Sequence, residues 1–366
     1  MVEVNSVIQD GQIGGFADFK TRPLMEGKVK RVAVKDLPLI DFSPFMNDAS
    51  FDARQKTACQ LREACINIGF FMISGHGIEQ SELDELIDWG HRLFALPLED
   101  KENMGMHGKP GGTGYVRLGG NQKGSAEKTP DVKERFFMAR ERLPGEPDGP
   151  NFAAGTSVWP DHSELPGLTG FMKSHIEKRT RLARQIVRAF ALSLELDEGY
   201  FDDMYRYPGI TMLFNYYPAL APDEVGENEW SFSPHTDYGM FTILAQDKSG
   251  GLQARNVAGE WIDVPPVDGA LVINIGDMFA MWTNDFYKSN LHRVQNYTDQ
   301  PRISAPMFTY PQSRTEISCL PTCQGPDNPA RYRPVNAEDY NNMLVAQSHR
   351  TGRPGISTKT AARFDT

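Results

Sequence analysis

Two histidines and one aspartate in the C-terminal half of the chain have the types and spacing of metal ligands. His235 and Asp237 are separated by one residue, and His292 follows much further along the chain. Alternate side chains of a β-strand point to the same face, so the first two can project together from one strand end. Two imidazoles and one carboxylate form the ligand face of non-haem Fe(II) oxygenases, which leaves coordination positions open. The set therefore predicts a metal site that carries out chemistry.

A second group of polar residues is placed to bind an anion beside that metal. Arg302 and Ser304 share one strand face by the period of two. Asn215 and Tyr217 share a face in the same way. The planar guanidinium of arginine can bond both oxygens of a carboxylate, which a lysine cannot reproduce. Phe308 continues the inward parity of Arg302 and Ser304, so it either packs in the pocket wall or contacts a substrate.

Apolar and β-branched runs bounded by glycine and aspartate must position these side chains. Residues 242–244 and 270–275 are runs of this kind, and they predict strands between the two histidines. Turns are predicted at 247–251, 257–260 and 299–301. Strands separated by such turns can bring ligands that are distant in sequence to one place.

The same stretches resemble the isopenicillin N synthase-like family of Fe(II)/2-oxoglutarate-dependent oxygenases. The resemblance extends from Leu37 to Pro311, which is most of the chain, and its motifs are specific. The matching segments in the N-terminal half are 39–42 (LIDF) and 69–77 (GFFMISGHG). Those in the C-terminal half are 215–218 (NYYP), 235–237 (HTD), 250–253 (GGLQ), 261–265 (WIDVP), 274–277 (NIGD), 287–294 (YKSNLHRV) and 302–304 (RIS).

The resemblance implies a mainly β fold with flanking helices around a double-stranded β-helix, a jelly-roll core like that of cupins. We expect one integrated catalytic domain, in which the helical pattern of 165–196 braces the outside of the jelly roll. Its parts are an irregular N-terminal arm (1–36), an α/β region packed on the core (37–200), the double-stranded β-helix with the metal site (201–312), and a C-terminal loop, helix and tail (313–366). The final helix is predicted over 337–350.

The resemblance also implies the reaction and the role of each candidate residue. Fe(II) would be held by His235, Asp237 and His292, with 2-oxoglutarate taking two further positions and O2 the third. Arg302, Ser304 and Tyr217 would bind the C5 carboxylate of 2-oxoglutarate, and Asn215 would lie near its C1 carboxylate. The expected outcome is hydroxylation, desaturation or ring closure of a small-molecule substrate, with release of succinate and CO2.

Two alternatives stay open on the residues alone. Some relatives use the same Arg-x-Ser pair for a substrate carboxylate and need no 2-oxoglutarate, so an Fe(II) oxidase of the same family is one alternative. Two histidines and a carboxylate also suit Zn(II). A zinc hydrolase or a binding module on the same fold is therefore the other.

The segment 104–130 is the least regular part of the body. It contains eight glycines, four basic residues and a single acidic residue. The segment lacks the Gly-Lys-Ser/Thr sequence that ends a phosphate-binding loop, and it is not flanked by a strand and a helix as such a loop is. The segment is therefore either a surface loop or a lid over the active-site mouth. Its basic balance would favour an anionic substrate.

The composition of the chain limits where the protein can be located and what it can bind. The 366 residues carry a formal net charge of −10 at pH 7, whereas nucleic-acid binders usually present a basic surface. No apolar run approaches a membrane span, and Met1–Phe16 lacks the basic-then-apolar pattern of a secretory signal. Four cysteines in a chain of this length do not indicate a disulfide framework. We expect a cytoplasmic protein without nucleic-acid or membrane partners, as a monomer or weak homodimer.

Overall fold

A computed structural model describes residues 37–105, 112–117, 132–147, 157–159, 163–219, 231–256, 259–296 and 298–343. The expected N-terminal arm, most of the 104–130 segment and the C-terminal tail lie outside these residues, so the lid stays a prediction. Residues 337–343 are helical, and the remainder of the helix predicted to reach residue 350 also lies outside.

The described chain begins with short strands and helices, continues through the strands of the double-stranded β-helix, and ends with a short strand pair and the helical residues 337–343. The helices are α1 (Ser43–Met46), α2 (Phe51–Asn67), α3 (Gln80–Phe94), α4 (Leu98–Asn103), α5 (Leu168–Ser193) and α6 (Asp277–Trp282). The strands are β1 (Leu39–Asp41), β2 (Phe70–Ser74), β3 (Gly114–Val116), β4 (Glu134–Ala139), β5 (Gly209–Tyr217), β6 (Phe232–His235), β7 (Phe241–Gln246), β8 (Leu252–Arg255), β9 (Trp261–Asp263), β10 (Leu271–Ile275), β11 (His292–Val294), β12 (Arg302–Tyr310), β13 (Glu316–Ile317) and β14 (Val335–Asn336). Among these residues, no helix combines the length and the apolar character that crossing a membrane requires.

Twelve of these strands form two facing sheets that the chain visits in turn, and β13 and β14 form a separate two-stranded sheet. Eight strands form one sheet in the order β1-β2-β10-β7-β12-β5-β4-β3, and four form the other in the order β6-β11-β8-β9. From β5 to β12 the chain alternates between the sheets, apart from the β8–β9 hairpin, and these strands pair antiparallel. This winding is a double-stranded β-helix, so the predicted jelly-roll core is confirmed.

Along the central strands, alternate side chains point either into the apolar core or into the cavity. On β12, Ile303, Ala305 and Met307 pack in the apolar core beneath the helices. Arg302 and Ser304 alternate with them in sequence and line the cavity between the two sheets. Because both faces of the large sheet are covered, its strands are nearly continuous buried runs.

Helices α3 and α5 fix the large sheet from outside. Arg179 of α5 is fully buried and donates from Nη1 to the carbonyl oxygen of Ala305, at 2.9 Å. On α3, Gly90 lies so close to β12 that an added Cβ would stand 2.9 Å from Cγ2 of Ile303 and 3.2 Å from Cδ1 of Phe214. The helix layer therefore contacts the strand that carries the predicted anion-binding residues.

We predict that Gly90→Ala lowers the free energy of unfolding by about 1–2 kcal/mol, because overpacking costs more than the gain in helix propensity. The matched control is Gly170→Ala on α5, where an added Cβ meets no atom within 4 Å. This variant should be unchanged or up to about 1 kcal/mol more stable. Urea unfolding measures both, and a Gly90→Ala protein as stable as Gly170→Ala would contradict the predicted contact.

Candidate metal centre

The three predicted metal ligands meet at one end of the smaller sheet. β6 ends on His235 and β11 begins on His292, and the two residues are direct partners in the antiparallel register. Nε2 of His292 lies 3.7 Å and Nε2 of His235 lies 4.0 Å from Oδ1 of Asp237. All three side chains are buried, so the structure brings together the set that the sequence predicted.

A loop, rather than strand parity, positions Asp237. The expectation that His235 and Asp237 project from one strand end was wrong in this respect, because β6 stops at His235. Asp237 instead accepts a backbone hydrogen bond from Asp277 N at 2.8 Å, and Oδ2 of Asp277 accepts from Thr236 Oγ1 at 2.8 Å. At Gly276 an added Cβ would stand 2.2 Å from a carbonyl oxygen of this loop. The start of α6 therefore clamps the loop that presents the carboxylate.

Two neighbouring side chains orient the Asp237 carboxylate. Its Oδ2 accepts hydrogen bonds from Thr242 Oγ1 at 2.5 Å and from Asn274 Nδ2 at 2.7 Å. Oδ2 is thereby occupied, and Oδ1 is the oxygen that points to the histidines. These two residues were not identified from the sequence. The available signal was a polar side chain inside each of two buried apolar strands, since such a group requires a partner.

Hydrogen bonds to the backbone fix the histidine rings. Nδ1 of His235 lies 2.8 Å from Ser233 O, and Nδ1 of His292 lies 3.4 Å from Asn290 O. If Nδ1 carries the proton in each ring, Nε2 has a free lone pair with which to bind a metal, which is the usual arrangement of metal-bound histidine. Burial, with His292 close by, lowers the pKa of His235 well below its usual value. A neutral imidazole is the form that ligates.

The donor set fits Fe(II). Imidazole nitrogens and a carboxylate oxygen are donors that non-haem Fe(II) takes, and the three residues each offer one such atom within 4.8 Å of the others. Three protein ligands on one face leave positions for reactants, as in the facial triad of non-haem iron enzymes.

Cross-strand pairs on the large sheet assemble the predicted anion-binding residues. In the register of β5 and β12, Arg302 pairs with Tyr217 and Ser304 pairs with Asn215. The guanidinium carbon of Arg302 lies 5.0 Å from the centroid of the Tyr217 ring. Asn215 Nδ2 donates to Ser304 Oγ at 3.4 Å, so the hydroxyl proton of Ser304 stays available for another acceptor.

The Arg302 guanidinium is buried and only partly paired. Its Nε donates to Gly250 O at 2.5 Å and its Nη2 donates to Gln246 Oε1 at 3.0 Å. Its Nη1 is buried and has no hydrogen-bond partner among the described residues. A buried charged donor without a partner is costly, so the cavity next to Arg302 favours an anionic ligand.

One cavity of about 110 Å³ connects these groups. Its lining includes all eight residues singled out in the sequence: Asn215, Tyr217, His235, Asp237, His292, Arg302, Ser304 and Phe308. It also includes Phe70, Arg135, Phe137, Leu213, Phe232, Thr242, Leu244, Leu252, Asn274, Val294 and Pro306. Arg135 and Phe137 were not identified from the sequence, although their two-residue spacing on β4 places them on one face.

Comparison with known proteins agrees with this geometry. Residues 209–311 match the model of the 2OG-Fe(II) oxygenase superfamily, and residues 37–162 match a model described as the N-terminal region of non-haem dioxygenases in morphine synthesis. A 2-oxoglutarate-Fe(II) type oxidoreductase, ppzC, of Metarhizium majus is 31% identical over 337 residues, which cover 87% of this chain and 89% of the relative. The oxidoreductase hxnY of Emericella nidulans is 33% identical over 318 residues, covering 85% and 90%.

A solved structure shows the same fold with its ligands. A full-length Neurospora crassa protein in complex with alpha-KG (2-oxoglutarate) and thymine matches this chain with a TM-score of 0.76 at 26% identity, covering 85% of this chain and 97% of that one. A double-stranded β-helix with two histidines and an aspartate has the ligand set of non-haem Fe(II) oxygenases. The chain belongs to the Fe(II)/2-oxoglutarate-dependent oxygenase superfamily. It is a 2-oxoglutarate-dependent enzyme, and neither the 2-oxoglutarate-independent oxidase nor the zinc alternative is favoured.

We predict that Thr242→Val weakens Fe(II) binding about 10- to 100-fold, because removing a partner of a ligating group has effects of this size. Valine keeps the shape of the side chain and removes only the hydroxyl that orients Asp237. Thr242→Ser keeps the hydroxyl and should bind Fe(II) nearly as wild type does. Anaerobic Fe(II) titration measures the affinities, and equal values for the valine and serine variants would show that the hydrogen bond does not position the ligand.

Proposed function

We propose that His235, Asp237 and His292 bind the Fe(II), and that Arg302 with Ser304 and Tyr217 binds the C5 carboxylate of 2-oxoglutarate. The observation that carries the second assignment is the buried Nη1 of Arg302, which has no partner among the described residues. A carboxylate at this point would complete the hydrogen bonding of the guanidinium. Asn215 is proposed to lie near the C1 carboxylate, because it lines the same cavity as the metal ligands.

The protein orients the bound metal and co-substrate and shields them. When bound, Fe(II), 2-oxoglutarate and O2 supply the oxidising chemistry, with release of succinate and CO2. The contacts of Arg302 with Gly250, Gln246 and the Tyr217 ring fix the guanidinium before any ligand arrives. The hydroxyl of Ser304 can donate to the same carboxylate, because Asn215 already donates to its oxygen. Preorganised groups of this kind need little rearrangement on binding.

The apolar part of the cavity is proposed to bind a small-molecule substrate. Phe308 lies in the wall directly beside Thr242, its cross-strand partner and the residue that holds Asp237. This position supports contact between Phe308 and the substrate close to the metal ligands. The related Neurospora crassa structure with thymine supports a small substrate bound together with 2-oxoglutarate.

We also propose a cytoplasmic location. All four cysteines are free thiols, and two of them, Cys65 and Cys323, are buried. Unpaired thiols are the usual state in a reducing cytosol. The expected monomer or weak homodimer stays a prediction.

We predict that Asp237→Ala and His235→Ala each abolish stoichiometric Fe(II) binding and turnover while the protein remains folded. Each change removes one of the three protein ligands. His91→Ala on α3, outside the cavity, is the control and should bind iron as wild type does. Iron content and succinate production measure the outcome. Normal iron content with normal activity in either ligand variant would refute the assignment.

We predict that Arg302→Gln weakens 2-oxoglutarate binding by one to two orders of magnitude, since a charged hydrogen bond contributes about 1.5–3 kcal/mol and about 1.4 kcal/mol is a factor of ten. Arg302→Lys should be nearly as weak, because the charge remains but the planar fork is lost. Fe(II) affinity should hardly change, as Arg302 is not a ligand.

The measurement is an anaerobic titration of 2-oxoglutarate into each Fe(II) protein, followed by its charge-transfer absorbance. Arg188→Gln is the control, because Arg188 is exposed and pairs with Asp202 on the outer surface. If Arg302→Gln binds 2-oxoglutarate as tightly as this control does, Arg302 holds another group.

A further inference from the structure

Two residues at the C-terminal end of β7 hold the strand segment that carries Arg302. Gln246 Oε1 accepts from Arg302 Nη2 at 3.0 Å, and Gln246 Nε2 donates to the carbonyl oxygen of Val264 at 3.1 Å. The next residue, Asp247, bonds Ile303 twice: its Oδ2 accepts from Ile303 N at 2.5 Å, and its N donates to Ile303 O at 3.1 Å. The side chain of Arg302 and the adjoining backbone of β12 are therefore fixed together.

The hydrogen bonds of Gln246 determine how its amide is oriented. An arginine side chain can only donate, so the amide oxygen must face Arg302 and the amide nitrogen must face the Val264 carbonyl. The other described hydrogen-bond partner of the guanidinium is the carbonyl oxygen of Gly250. Both partners are uncharged, so they orient the guanidinium without forming an ion pair with it.

Strand β7 connects the two groups that would hold the ends of 2-oxoglutarate. Thr242, near its start, donates to Oδ2 of the proposed metal ligand Asp237 at 2.5 Å, and Gln246, at its end, bonds Arg302. Leu244 lies between them on the same strand face and lines the cavity. β7 is paired on both sides, with β10 and β12. Four residues of strand span about 13 Å, so this paired strand fixes the separation of the two groups.

Gln246 is placed to act through Arg302 rather than on a ligand. Arg302 lines the cavity that contains the metal ligands, and Gln246 is not among the described residues of that lining. Gln246 instead lines a separate cavity of about 170 Å³, between α3, the end of β7 and the loop after β9. Any effect of Gln246 on 2-oxoglutarate would therefore be exerted by the position of the guanidinium.

We propose that Gln246 is a positioning residue that sets, through Arg302, the chain length of the 2-oxo dicarboxylic acid that the site accepts. This rests on the proposed function, because it takes the metal and Arg302 as the two anchors of 2-oxoglutarate. The metal-binding end is the same in every 2-oxo acid, so discrimination by length depends on where the guanidinium is held. Without Gln246 the guanidinium keeps Gly250 as a partner but is free to turn toward a shorter or longer acid.

The test compares 2-oxoglutarate with oxaloacetate and 2-oxoadipate, which are one methylene shorter and one methylene longer. Gln246→Met keeps the length of the side chain and removes both hydrogen bonds. Gln60→Met, at an exposed position of α2, is the matched control. Each Fe(II) protein is titrated with each acid without oxygen, and the charge-transfer absorbance gives the affinity. A separate Fe(II) titration of each variant shows whether the metal site is intact.

Wild type and Gln60→Met should prefer 2-oxoglutarate to either homologue by about tenfold or more, since one methylene in a fitted site has an effect of this size. Gln246→Met should lose about three- to tenfold of this preference, as expected for one hydrogen bond, with unchanged Fe(II) affinity. In an Arg302→Gln background the same change should have no further effect on the preference, because the two residues act as one unit.

Gln246→Glu tests the amide itself. The new carboxylate would form an ion pair with Arg302, and it would face the Val264 carbonyl without a proton to donate. Affinity for 2-oxoglutarate should fall about tenfold or more, because a negative charge is added beside the C5 carboxylate, while Fe(II) affinity should not change. A Gln246→Glu protein that binds 2-oxoglutarate as wild type does would show that Gln246 does not position the guanidinium.

Other results would also overturn the proposal. These are a wild-type preference in Gln246→Met, an equal loss of preference in the Arg302→Gln background, and a wild type that does not discriminate among the three acids. Failure of Gln246→Met to bind Fe(II) would show that Gln246 supports the fold rather than Arg302. Wild type that binds none of the acids, or binds them independently of Arg302, would refute the proposed function as well. The wild-type and Arg302→Gln titrations reveal this without any Gln246 variant.

Discussion

A carboxylate buried between apolar strands is unfavourable unless each of its oxygens has a partner, and the metal centre depends on how Asp237 meets this constraint. Thr242 and Asn274 satisfy Oδ2, while Oδ1 is directed to the two histidines. The donors come from β7 and β10, which are adjacent in the large sheet, whereas the histidines belong to the smaller sheet. The carboxylate therefore joins the two sheets at the point where a metal would bind.

The large sheet carries both the stability of the fold and the specificity of the site. Its outer face packs under α3 and α5, and its inner face presents rows of polar groups that begin with Arg302 and Ser304. Since these functions alternate residue by residue along β12, a one-residue slip in register would exchange core and site. The close contact of Gly90 with Ile303 and the bond from Arg179 to Ala305 hold this register from outside.

Residue types and their spacing in short segments predicted the metal ligands, and the resemblance of such segments to a known family implied the jelly-roll core. These local patterns did not predict the hydrogen bond from Asp277 N to Asp237 O, because the two residues are distant in sequence and meet only in the folded chain. Asn274 was missed because its partner Asp237 is distant in sequence. Thr242 lies only a few residues after Asp237, and it was missed because their contact depends on how the loop after β6 turns back onto β7. Arg135 was missed because its place in the cavity follows from the register of β4 on β5, which no pattern within β4 reveals.

The central claim is that one cavity holds Fe(II) and 2-oxoglutarate on separate, preorganised groups. A crystal structure of the anaerobic Fe(II) complex with 2-oxoglutarate tests it most directly. We predict metal bonds to Nε2 of His235, Oδ1 of Asp237 and Nε2 of His292, with the C5 carboxylate of 2-oxoglutarate on Nη1 of Arg302. A metal bound to other residues, or a C5 carboxylate bound away from Arg302, would contradict this account.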